Sequence, residues 1–367
     1  MTGGGLTRPE NCPFVRRTVP PSPPPRPVAN SSLLTAAPLV RPGRPPDESA
    51  RVVEKVLASA RLPTPPAVAM KIVQATADPD CPTAKLVELL QQDPSLCAAV
   101  LKAVNSCVYA LRSPVTALDR AVLLLGMRAV RSLVLTLSLP AMQYPGVPDQ
   151  EFRHHWLASV SGGIIARELC VRLRVPHADE ELVCGLLRDI GALALRQVFP
   201  DESGRYRAGV ATRPFSAHLG FEREVYGVGH PELSAELLRQ WRLPEPVCQP
   251  VRYHHEPADA PAADADLAAR TRRLALVERL VNIDIVTQSP TELDALLNDA
   301  STHYDMSVAD VIAFLQQVVP KVEAFTALLD VHVGRCPDFA ATLAQGHEAL
   351  VKLALEGNRA EAPAAAS

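Results

Sequence analysis

The chain has 367 residues, a net charge of -3 and only 4% aromatics, which excludes the basic footprint and stacking platforms of a nucleic-acid binder. Its 47% hydrophobic and 21% charged residues suit a sizeable globular core. There is no cationic N-terminal segment followed by an apolar stretch, no apolar run near the ~18 residues of a membrane span, and no Cys-x-x-Cys pair among the eight cysteines. Cys97, Cys170 and Cys184 sit in apolar helical patterns, so reduced core thiols and a cytoplasmic location are expected, with neither nucleic acid nor membrane as partner.

Residues 1–48 are rich in Pro, Ser and Arg without any period, and are expected to form a disordered tail. From 51 to 142 the pattern is helical. Thr83 is placed to cap a helix with Leu86, Leu89 and Leu90 on one face. Asp93 followed by Pro94 starts another, which turns Leu96, Val100 and Val104 inward. Asn105 and Ser106 read as polar caps at its end, and Gly126 breaks the apolar run that follows. A second lobe spans 149–289 with apolar residues three and four apart and no period of two. Further helices occupy 290–355, where Pro320 should kink or end one, and 356–367 read as a flexible tail. The fold class is therefore all-α and two-lobed, with a C-terminal helical extension. Those last helices carry apolar residues on more than one face and should be covered, within the chain or by a second copy in a homodimer.

Several stretches occur together and in order: "LPTPPAVAMKIV", "QQDPSLCAAVLKAVNS", "ALDRAVLLLGMRAVRSLVL", "GLLRDIG", "VYGVGHPELSAELL", "WRLPEPV" and "YHHEP". This string resembles the HDOD domain, the HD-related output domain of bacterial signalling proteins, over roughly residues 51–289. HDOD domains are degenerate relatives of the HD and HD-GYP phosphohydrolases, whose His-Asp doublet binds a catalytic metal. The resemblance implies an all-helical, two-lobed regulatory domain and names no ligand.

Measured against the His, His-Asp, Asp order of a working site, the chain is depleted. The first His position holds Ala158, with His154 and His155 one helical turn earlier; the doublet reads Arg188-Asp189; a final Asp is expected at Asp284. Alanine offers no lone pair, and a guanidinium has five donors and no acceptor. Relatives with two metals use further His residues, and those positions correspond here to His230, His254 and His255, which form a candidate residual ligand or metal site. His230 before Pro231 and His254-His255 at a helix end also suit purely structural roles. Gly162-Gly163 lacks the phosphate-cradle pattern and is read as a close-packing site. The expectation is a regulatory module without catalytic residues or cofactor, acting on a signalling protein or small ligand. Metal-dependent phosphodiester hydrolysis is the alternative. Arg188 should compensate the surviving carboxylates, reaching Asp284 or another acid across the lobe rather than its neighbour Asp189.

Overall fold

The computed structural model describes residues 46–333 except 60, 61, 63, 64, 77, 79, 112, 139–146 and 262, together with 348, 351 and 352. The expected tail up to residue 45, most of the junction between the lobes and the C-terminal end lie outside the described residues. In chain order the helices are α1 (Pro46–Leu57), α2 (Ala67–Ala75), α3 (Thr83–Leu90), α4 (Pro94–Val104), α5 (Leu118–Ser138), α6 (Asp149–Leu173), α7 (Ala178–Leu187), α8 (Ile190–Val198), α9 (Pro200–Val210), α10 (His218–Tyr226), α11 (His230–Gln240), α12 (Glu245–Tyr253), α13 (Ala265–Val281), α14 (Ile283–Val286), α15 (Pro290–Tyr304) and α16 (Val308–Val333). No strand occurs among the described residues. The fold is all-α.

Local sequence explains most boundaries. Asp93 Oδ1 accepts the Leu96 backbone N–H at 3.0 Å, with Pro94 opening α4; one orphan donor of the first turn is thereby satisfied. Asn105 ends α4 and does more than cap it. Its Nδ2 donates to the carbonyls of Leu101 and Val115, and its Oδ1 accepts from the Val115 N–H, so one side chain clamps the approach to α5. Thr83 falls one position inside α3, behind Pro82, and makes no capping bond. Gly126, at φ 80° and ψ 160°, kinks α5 into two straight parts. Helix α16 runs through Pro320 without ending there.

Helices α2–α5 pack together, with Leu86, Leu89, Leu90, Leu96, Val100 and Val104 in their core. Helix α5 then packs on α7, and α7 lies along α6 in the most extensive helix pair of the protein. By length and a mean hydropathy of 1.6, α5 would reach across a membrane, against the sequence reading. Its second half, Ala129 to Leu135, is buried in this fold, which accounts for the apolar run. Helices α8, α11, α12 and α13 complete the layer that carries the site, and α16 covers α6 through Phe314, Leu315, Val318 and Phe325. Lys321 Nζ reaches Glu168 at 2.5 Å across that contact. Cys170, Cys184 and Cys248 are free and buried, whereas Cys97 is half-buried.

Candidate functional site

Glycines let the helices that carry the site approach closely. A β-carbon on Gly162 of α6 would overlap the Arg188 guanidinium and come within 2.8 Å of the Gly185 carbonyl, and one on Gly185 of α7 would run into the Gly162 carbonyl. On the other side, a β-carbon on Gly191 would lie 2.5 Å from the His230 carbonyl and 2.7 Å from the Ser234 nitrogen. The Gly191 N–H donates to Ser234 Oγ at 2.9 Å. "GLLRDIG" thus begins and ends on glycines that bring α7 onto α6 and α8 onto α11.

Between these contacts Arg188 is fully enclosed, with its side chain 1% exposed. Its Nε donates to Glu278 of α13, and its Nη1 donates to the carbonyls of Gly185 at 2.6 Å and Ala158 at 3.4 Å. Its Nη2 lies 3.1 Å from Asp189 Oδ2. Glu278 is held in turn by Asn282 Nδ2, 2.8 Å from Oε1. The acid across the lobe is therefore Glu278, and the neighbour Asp189 is reached as well, because Arg188 and Asp189 fall at the turn between α7 and α8 and not inside one helix. Asp284 is half-buried on the short α14, where its carbonyl accepts from Thr287; its carboxylate belongs to neither Arg188 nor the histidine cluster. The sequence signal for Glu278 was available: it lies among Leu274, Val277 and Val281, on the inward face of α13.

Asp189, His230, His254 and His255 come together, each offering one donor atom, all within 4.8 Å of one another. Asp189 Oδ1 lies 3.3 Å from His230 Nε2 and 3.5 Å from His254 Nε2. These atoms and His255 Nε2 are buried without a hydrogen-bond partner among the described residues. The opposite ring nitrogens are anchored: His230 Nδ1 lies 2.7 Å from Glu222 Oε2 and His254 Nδ1 2.7 Å from the Val251 carbonyl. The rings sit close, with centroids 4.4 Å apart for His254 and His255 and 4.9 Å for His230 and His255. Glu222, another acid on an inward helix face, also accepts the His230 backbone N–H at 2.6 Å.

Charge is distributed unevenly. Burial raises the Asp189 pKa, but the charge of Arg188 and the adjacent imidazoles of His230 and His254 outweigh it and hold the carboxyl well below its ordinary value. Burial alone would lower His230; Glu222 and Asp189 overcome this and raise the imidazole to about 10. Burial, followed by the charges of His254 and His230, pushes His255 well below its usual value. Of the two histidines ahead of Ala158, His154 is exposed, whereas His155 is buried with Nε2 unpartnered. Burial first, then Arg196, brings His155 down to about 3, while Asp189 acts in the opposite sense.

The HDOD domain profile matches residues 62–257, more than half of the chain. An uncharacterised protein of Treponema pallidum (strain Nichols) is 28% identical over 205 residues, 54% of this chain and 39% of that one, so the chain spans about two fifths of the curated relative it matches. Three crystal structures share the fold. An HDOD domain protein of unknown function from Geobacter sulfurreducens superposes with a TM-score of 0.56 at 20% identity, over 77% of this chain and 98% of that one. A proposed phosphohydrolase from Shewanella amazonensis gives 0.53 at 22%, over 83% and 98%. A proposed signal transduction protein from Marinobacter aquaeolei gives 0.54 at 22%, over 81% and 65%. With the profile spanning most of the helices that carry Arg188, Asp189 and the three histidines, the chain belongs to the HDOD family.

Proposed function

We propose that this chain is a non-catalytic signal-transduction module of the cytoplasm, which acts by binding a protein or small ligand. The observation that carries this reading is the enclosed Arg188, ion-paired to Asp189 and Glu278 at the position where a hydrolase of this superfamily has a metal-binding His. A guanidinium stays protonated and offers no lone pair. It also opposes a dication at that point, by about 8 kcal/mol at ~4 Å in an effective dielectric near 20. Ala158 supplies no ligand at the other missing position. Glu278 is committed to hydrogen bonds from Arg188 and Asn282, and Asp189 Oδ2 to an ion pair with Arg188.

A second reading, a metal-dependent phosphohydrolase, is favoured by one observation: the convergence of Asp189, His230, His254 and His255. Three imidazoles and a carboxylate fit a late first-row dication, and their buried, unpartnered donor atoms are what such an ion would satisfy. A metal there would supply Lewis acidity and lower the pKa of bound water. The chain's own residues supply anchoring: Glu222 and the Val251 carbonyl orient two of the rings through Nδ1.

The test is hydrolysis of a generic phosphodiester by the full chain with manganese added. No turnover above the protein-free rate is expected. Turnover that disappears in Asp189→Ala would replace the first reading with the second.

A further inference from the structure

The first half of α5 presents two apolar faces, and the fold buries one of them. Ala121 and Val122 are buried in the first lobe. Leu123 and Leu124, next in sequence, are 74% and 53% exposed, and Leu125 and Met127 beside them are half-buried. Gly126 is exposed at the edge of this outer face, with nothing within 4 Å of where its β-carbon would lie, so no other part of the chain closes over the kink. A single exposed leucine is ordinary, whereas a contiguous apolar patch with a polar rim marks a contact surface.

The charges at the rim select the occupant. Asp119 and Arg120 each lie one helical turn before a leucine of the pair and share its face. Both are exposed, and neither is ion-paired among the described residues. Arg128 stands four positions after Leu124, past the kink, with its side chain 65% exposed beside Glu180 and His177. An acid thus precedes the leucine pair by four positions, and a base follows it by four. A two-fold contact sets one patch against itself, residue i against j and j against i. Antiparallel apposition about Leu123 and Leu124 then sets the Asp119 of each copy against the Arg128 of the other. A lipid surface or a partner of one charge sign gains from only one end of this pattern.

We propose that a second copy of this chain docks on the first half of α5, two-fold and antiparallel, with Leu123 and Leu124 at the centre and Asp119–Arg128 pairs at both ends. A contact built on two leucines a side falls at the low end of interface sizes, below about 1,200 Å², so the dimer is weak and forms with rising concentration. The charge pairs fix its register more than its affinity. The surface departs from the sequence expectation of a homodimer through the C-terminal helices. There Phe314, Leu315, Val318 and Phe325 are buried and α16 packs on α6, so those side chains are not free for a second copy. The dimer does not depend on what the Arg188 site binds or does.

Sedimentation velocity of the full chain over a wide concentration range tests this, with melting curves to check that each variant is folded. A monomer–dimer equilibrium is expected. The exposed leucines can be replaced without opening the core, and Leu123→Glu with Leu124→Glu should weaken association by more than about 10-fold. Asp119→Arg and Arg128→Asp should each give a monomer, because each sets like charges together at both ends. Mixing these two variants should restore the dimer, since only the mixed pair has opposite charges at both ends. A chain that stays monomeric at every concentration, a dimer that survives the leucine replacements, or a mixture that remains monomeric would each overturn the proposal. So would a monomer that sediments with phosphatidylcholine vesicles through the two leucines, which would assign this face to lipid.

Discussion

Gly162 of α6 and Arg188 of the α7–α8 turn occupy one volume between them: the guanidinium lies where the glycine's β-carbon would be. The bare backbone at 162 is what allows a long cation to be enclosed at this point. The pairing makes Gly162 a part of the ion-pair site although it carries no charge.

Gly162→Ala should destabilise the protein by about 1–3 kcal/mol, as overpacking of a filled interior does. In an Arg188→Ala background the added cost should shrink, leaving a coupling of about 0.5–3 kcal/mol. Some penalty should remain, because the Gly185 carbonyl is also close. Chemical denaturation of the four proteins checks this, and strict additivity would show that the two residues do not share space.

His155 makes stability depend on acid. Its folded pKa, about 3, is below the ~6.5 of an exposed imidazole, so the unfolded chain binds the extra proton. Stability from this group is therefore complete above about pH 6.5 and lost as pH falls towards 3, with about 2 kcal/mol gone by pH 5. His155→Gln should flatten that part of the pH–stability curve. An unchanged slope between pH 6.5 and 4 would place the acid sensitivity elsewhere.

Removing everything from Pro290 onward should expose the partners of Leu293, Leu296, Phe314, Leu315, Val318 and Phe325, all buried. The truncated chain is expected to aggregate, read by light scattering during size-exclusion chromatography. A soluble, equally stable truncation would show that α15 and α16 add nothing to the core.

The helical layout was legible because it depends on short-range signals. The Asp93-Pro94 start, the break at Gly126 and the inward row Leu86, Leu89, Leu90 each follow from neighbours in sequence. Thr83 misled because Pro82 took the position before the helix, and Pro320 does not end α16. The site was legible in its residue types and not in its pairings. Asp284 and Glu278 are six positions apart, and only the packing of α13 decides which of them faces Arg188. His155 offered the same choice against His154: adjacent positions on α6, one turned to the interior and one to solvent.

The ion pair of Arg188 with Glu278 is where the old doublet position has become structural, and a double-mutant cycle measures it. Breaking a buried pair from one side typically costs about 3–5 kcal/mol, against about 0–1 kcal/mol for a surface pair. Arg188→Ala and Glu278→Ala should each fall in the higher range, and the double variant should lose clearly less than the sum of the two. Denaturation curves in which Arg188→Ala costs no more than a surface pair, or in which the two losses simply add, would contradict the account.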